Sequence, residues 1–372
     1  MMYHKGKLIL SVLLLCLFSA NAIAACAFAP TADYPANSIK KMTVPLAISS
    51  ISVPPGTAVG ATVYRQRITI RSGADKLRIG CDKDGLFVYK REYKTLPMGE
   101  TSTGSKIYKT GINGLGIVFL NAADKAKFPT ITPTTGCTDA RNCYMSSATG
   151  LWGADSFFQL VKTADSVTGG TISASNLPTA LYSLGQEGSM VGIYEINISG
   201  SLKVTTPTCN ITTGSQSMTV KMGSYHTSDF SGPGTGTAWK DASIHLNNCG
   251  WFYGNTTTSV ATFNGTENVP VKALTSNAAD ITLTPLDGKL NAAEGIMSIA
   301  SGTSAATGIG IQLSRSEADS GKINLDSAYS YSLPNDGSST ITVPLYARYI
   351  QTENTITGGN AIGKLEYTIS YH

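Results

Sequence analysis

The chain has 372 residues, a net charge of +4, only 14% charged residues and 38 glycines. That length suits two domains of ordinary size. Both signs of charge are dispersed, with no basic run of the kind nucleic acid demands. Plentiful Ser, Thr and Gly, without a long stretch of helical periodicity, point to an all-β chain.

The first segment reads as a secretory signal. Lys5 and Lys7 form its basic region, Leu8 to Phe18 its apolar core, and Ala22-Ile23-Ala24 a small-x-small cleavage site. The expected mature chain begins at Ala25, giving 1–24 as signal peptide. The apolar run is too short for a membrane anchor, and the context of Cys16 does not suit lipid attachment. The protein is expected to be exported and soluble. Of the 7 cysteines, those after the leader are Cys26, Cys81, Cys137, Cys143, Cys209 and Cys249, an even set that reads as disulfides in an exported chain. By position, Cys137 and Cys143 bracket one short loop, Cys209 and Cys249 share a later segment, and Cys26 is left with Cys81. Without a CxxC pair, and with His scarce, no metal or cofactor is expected.

In chain order, residues 26–60 hold short alternating segments broken by Pro45, Pro54 and Pro55. Strands are expected at Ala61 to Ile70, Lys76 to Cys81, Leu86 to Tyr89, Ile117 to Leu120, Phe157 to Lys162, Thr171 to Ser175, Thr179 to Leu184 and Val191 to Ile198. Residues 129–156 are the least regular. Thr205-Thr-Pro-Thr208 reads as a semi-rigid linker between domains at 25–204 and 209–372. Beyond it, strands are expected at Met218 to Met222, Ser243 to Leu246, Val269 to Leu274, Gly308 to Ser314, Thr340 to Ile350 and Lys364 to Tyr371. That is about one fewer than the seven of a constant-type immunoglobulin sandwich. In the last, Leu365, Tyr367, Ile369 and Tyr371 share one face, leaving an edge that needs a cover.

Pro207-Thr-Cys209, Cys249, Gly308-Ile-Gly-Ile-Gln-Leu-Ser-Arg315, Val343-Pro-Leu-Tyr-Ala-Arg-Tyr349, Thr357-Gly-Gly-Asn-Ala361 and the penultimate Tyr371 together resemble the pilin domain of chaperone–usher fimbriae. A further domain ahead of it makes the whole similar to two-domain tip adhesins such as the mannose-binding adhesins of type 1 pili. Cys26 and Cys81 match the disulfide of their lectin domain in order; Cys137 and Cys143 depart from it. The resemblance implies two immunoglobulin-like sandwiches, the second lacking its last strand. A periplasmic chaperone lends that strand, and the next pilus subunit replaces it at the outer-membrane usher. Leu365, Tyr367, Ile369, Tyr371 and His372 would line the acceptor groove and chaperone contact. With no donor extension after the leader, the chain is expected at the fibre tip, outside the cell, binding a host glycan or glycoprotein.

Sugar recognition needs donors and acceptors beside an apolar face. Three loops qualify. Asp82, Lys83 and Asp84 follow Cys81; in the resembling lectins an Asn-Asp pair stands there, which Asp84 fits and Lys83 does not. Gln186 and Glu187 lie between two strands. The Cys137–Cys143 loop offers Asp139, Arg141 and Asn142, with Tyr144 and Trp152 near in sequence. A solvated turn, a plain hairpin and a stiffened surface loop are the plainer readings of the three. Without HExxH, GxSxG or Walker sequences, no enzyme is expected. The alternatives are a structural minor pilin without a ligand and an adhesin for a protein receptor.

Overall fold

The computed structural model describes residues 25–69, 76–134, 137, 139–145 and 155–372. The signal peptide and Trp152 lie outside the described residues. The chain is almost entirely β, with one large apolar core in each half.

The first core lies between two sheets. One runs in the order Lys40–Pro45, Ser189–Ser199, Thr179–Gln186, Phe87–Thr95, Thr130–Pro133. The other contains Thr62–Ile68, Ser156–Lys162, Leu115–Asn121 and Tyr108–Lys109 as neighbours. Alternation along these strands turns Tyr64, Phe119, Phe158, Tyr182 and Tyr194 inward, all fully buried. The Tyr182 hydroxyl ties the two layers by a 2.8 Å hydrogen bond to Ser156 Oγ. Ser156–Lys162 and Leu115–Asn121 are buried along nearly their whole length, because the outer face of their sheet is also partly covered. Several strands differ in extent from expectation. Leu86 is excluded from its strand, which runs on from Phe87 to Thr95.

The second sheet of the first domain does not end with its own residues. The strand Ala261–Phe263, from the second half of the chain, pairs in parallel with Thr62–Ile68 and is followed outward by Asn268–Pro270. Val260, Ala261 and Phe263 belong to the first core, with Phe263 only 3% exposed. Val269 to Leu274, expected as a strand of the second sandwich, therefore becomes part of an arm reaching into the first. Backbone bonds from Thr256 to Val63, Val260 to Arg65 and Thr69 to Phe263 fasten it. Ser52 Oγ adds a 2.8 Å bond to Thr205 Oγ1 and donates to the Trp251 carbonyl. A parallel pairing between segments so distant in sequence leaves no local signal.

The second core is closed by three sheets. Tyr346–Gln351 and Ile309–Ser314 form the centre of one, and Ile244–Asn247 the centre of another. The third has Ala278–Pro285 between Tyr329–Ser332 and Leu365–Tyr371. Ala278–Pro285 is absent from the expected strands, because two Ala, an Asp and a Pro blunt its β-propensity; burial of Ala279, Ile281 and Leu283 holds it. Thr340 to Ile350, expected as one strand, is two: Ile341–Val343 and Tyr346–Gln351 lie in different sheets on either side of Pro344. Met218 to Met222 is not a strand. A strand is defined by its ladder, and this segment has no backbone neighbour among the described residues.

Disulfides join Cys26 to Cys81, Cys137 to Cys143 and Cys209 to Cys249. The first links directly opposed residues, since Cys26–Phe28 pairs with Leu77–Cys81.

Candidate functional site

The strand Ser189–Ser199 has 11 residues and so spans roughly 35 Å. It runs from a tight turn at Glu187-Gly188 to the segment that leads into the second half. The turn therefore marks the far end of the first domain. Gly188 takes a φ of +89° there, which only glycine adopts freely.

Three loops, read separately from the sequence, meet at this end. Residues 82–86 leave the strand Leu77–Cys81; residues 139–142 enter Asn142–Met145, which pairs with the same strand. Gln186 closes the third side. It is 7% exposed, and its Nε2 donates to the Lys83 carbonyl at 2.8 Å and the Ala140 carbonyl at 3.0 Å. Gly85 N donates to the same Ala140 carbonyl. A side chain at Gly85 would lie 2.5 Å from Gln186 Cδ, so the absent Cβ is what lets the glutamine seat.

The stapled loop is ordered from within. Asp139 Oδ1 accepts from the backbone N–H of Arg141 at 2.8 Å and of Asn142 at 3.2 Å, and Oδ2 accepts from Asn142 Nδ2 at 3.0 Å. These bonds, the Arg141 N–H first, hold the Asp139 carboxyl below its ordinary value. Asn142 Oδ1 is taken by Arg78 Nε and Nη2. Arg141 turns outward, its Nε 2.5 Å from Asp84 Oδ1, with the two side chains 60% and 70% exposed. Its hydrogen bond to Asp84 raises the Arg141 pKa.

The end thus divides into supports and exposed groups. Gln186 and Asn142 are committed to the frame. Asp82, Asp84, Arg141 and Glu187 face solvent, beside Leu86, which is 66% exposed. Tyr144 is also exposed; Arg78 lies 5.6 Å from its ring, and Tyr34 meets it edge-on. Arg78 and Tyr34 are missing from the sequence reading; the register of Asn142–Met145 against Leu77–Cys81 brings in Arg78, and the bridge between Ala36 and Leu77 brings in the segment of Tyr34. The arrangement offers a shallow plane of donors and acceptors with an apolar residue at its edge. Among the described residues no cluster of His, Cys, Asp and Glu could hold a metal ion.

The second constellation is the edge of Leu365–Tyr371. Among the described residues it pairs with Ala278–Pro285 on one side only. Leu365, Tyr367 and Ile369 are half-buried, whereas the inward residues Ala279, Ile281, Leu283 and Pro285 of the strand beside them are buried. Tyr367 reaches over to the Ser215 carbonyl at 2.5 Å, and Val220 and Met222 pack on the same core. The far end of the strand touches the first domain, where Gly56 N donates to the Tyr371 carbonyl at 2.8 Å. His372 Nδ1 lies 3.6 Å from Asp280 Oδ2.

Residues 44–201 match the MrkD-like receptor binding domain and residues 196–372 the Fimbrial protein family. A fimbria adhesin protein of Klebsiella pneumoniae is 24% identical over 98% of this chain and 99% of its own length. Among solved structures, the receptor-binding domain of the Klebsiella pneumoniae adhesin MrkD1P aligns with 51% of this chain and 99% of its own, at 18% identity and a TM-score of 0.35. The CupB6 tip adhesin of Pseudomonas aeruginosa covers 93% of this chain and 94% of its own, at 16% identity and a TM-score of 0.35. The two matched families adjoin near residue 200, describe adhesive and structural modules rather than enzymes, and imply an extracellular, pilus-associated place. The chain belongs to the fimbrial adhesins, with an MrkD-like receptor-binding domain followed by a fimbrial domain.

Proposed function

We propose that this adhesin binds a glycan at the far end of its first domain and joins the pilus by accepting a strand in its second. Asp82, Asp84, Arg141 and Glu187 would meet sugar hydroxyls, on a frame made by Asp139, Asn142 and Gln186. The observation that carries this is the convergence of three loops on the bonds of Gln186 at the end opposite the second domain. A plane tied in advance loses little entropy on binding. The exposed Leu86 and Tyr144 also favour a second reading, a protein receptor bound on the same plane.

Attachment follows from the half-covered edge. An incoming strand beside Leu365–Tyr371 would give residues 217–222 the ladder they lack and cover Leu365, Tyr367 and Ile369. A periplasmic chaperone would supply it first and the next subunit afterwards, at the usher, with residues 205–208 as the link between the domains. The leader at 1–24 would direct export.

The full chain, complemented with a donor-strand peptide, should bind a discrete set of neutral or acidic glycans on an array. Asp84→Ala together with Arg141→Ala should remove that binding without altering the melting profile. Binding only to matrix proteins would decide for the protein receptor. No binding in either format would overturn the placement and leave a structural subunit.

A further inference from the structure

The outer face of the six-stranded sheet gathers cations that are scattered in the sequence. The register places Arg67 opposite Phe157, Phe157 opposite Leu120 and Leu120 opposite Lys127, one row perpendicular to the strands. At about 4.8 Å per strand, Arg67 and Lys127 stand roughly 14 Å apart. The row continues across the arm, where Thr262 pairs with Arg67. Phe157 is the hub. The Arg65 guanidinium lies 3.7 Å from its ring centroid, the Lys125 ammonium 4.8 Å and the Arg67 guanidinium 5.9 Å.

Three cations on one ring repel each other, and the ring's quadrupole offsets only part of that. Asp155 answers Arg67 at 2.8 Å. Among the described residues Arg65 has no carboxylate within an ion-pair distance, and its Nε is buried without a hydrogen bond. Burial, then the proximity of Arg67, lowers its pKa. A guanidinium stacked flat on an aromatic ring is held in place while its outer fork stays free for a bidentate anion. Lys125 and Lys127 are both exposed, their ammonium groups donating to the Ala122 and Ser105 carbonyls.

We propose that the row from Arg67 to Lys127, with Arg65 and Lys125 flanking it, is a second binding surface that takes a sulfated or carboxylated polysaccharide. The surface is separate from the loops at the domain's end. Cations at both ends of this row, with Arg65 and Lys125 beside it, match anions that recur along an extended chain. Phe157 is only 9% exposed and already covered by cations, so it offers no face for a base to stack on, which disfavours nucleic acid. The partner is therefore an anionic glycan, and the charge pairing makes its binding salt-sensitive.

The test uses the full chain complemented with a donor-strand peptide and a heparin hexasaccharide as probe, read by calorimetry at low and physiological salt. Arg65→Gln with Arg67→Gln should weaken binding at least tenfold. Lys125→Gln with Lys127→Gln, both exposed, should weaken it several-fold without touching the fold. Lys41→Gln, an exposed lysine of the other sheet, should change nothing, and a fully desulfated hexasaccharide should bind no better than neutral dextran. Asp84→Ala with Arg141→Ala should leave heparin binding intact, so failure of the loop site and failure of this surface are read separately. The proposal falls if both patch variants bind like the parent, if Lys41→Gln loses as much as they do, or if single-stranded DNA of equal charge binds as tightly.

Discussion

Each domain of this adhesin has a strand that needs a neighbour, and the two needs are met differently. Thr62–Ile68 receives Ala261–Phe263 from within the same chain. Leu365–Tyr371 receives none among the described residues. At the first edge Phe263 enters the core and is nearly sealed; at the second, Leu365, Tyr367 and Ile369 stay half-buried. Pairing within the chain joins the domains. An edge left uncovered is one that a partner strand can use.

The sharpest way to break this comparison is to fill the open edge. Without a chaperone the full chain should aggregate. A peptide with alternating apolar residues should restore a monomer on gel filtration and raise the melting temperature by more than ~10 °C through binding linkage. A cooperative melt that ignores the peptide would show that the edge is not an acceptor.

Removing the strand partner at the closed edge comes next. Phe263→Ala should cost the first domain about 3–5 kcal/mol in urea unfolding, the range for a buried Phe, although the residue belongs to the other half of the sequence. A loss under ~1 kcal/mol would mean that the arm merely rests on the sheet. By the same reasoning, residues 25–204 expressed alone should melt below the first transition of the full chain.

Smaller effects separate the two edges further. Ile369→Ala should lower the donor peptide's affinity about tenfold, the worth of one half-covered side chain, while leaving the first transition in place. At the loop end, acidification supplies a gentler test. The Asp139 carboxyl is held below its ordinary value of 3.8. A carboxylate with a depressed folded-state pKa contributes stability that is full above the unfolded value and is lost as pH falls through the folded one. Receptor binding should therefore be flat above about pH 4 and decline below it. Asp139→Asn should remove the low-pH decline and weaken binding modestly at neutral pH. An unchanged acid profile in that variant would show that the loop is ordered by its disulfide alone.

The local patterns were readable because they are local. Alternation along Leu365–Tyr371 announced a strand with one buried face, cysteine parity announced a cross-linked chain, and Asp139, Arg141 and Asn142 stood out inside a stapled loop. The separate candidates Asp84, Arg141 and Gln186 gave no sign in sequence that they would meet. Their meeting depends on Asn142–Met145 pairing beside Leu77–Cys81 and on the single long strand that carries the turn at Glu187 outward.

Sequence alone determined the all-β class and the one buried face of the final strand, because side-chain period and residue type are properties of neighbours along the chain. The receptor-binding and fimbrial parts were legible only through the resemblance of whole motifs. Tertiary structure alone decided that residues 260–263 complete the first core, that Gln186 is a support, and that Arg65, Arg67, Lys125 and Lys127 share one face. Those facts arise from strand pairing between segments up to some two hundred residues apart, and register between distant strands is set by the packing of the whole core, which no local pattern encodes.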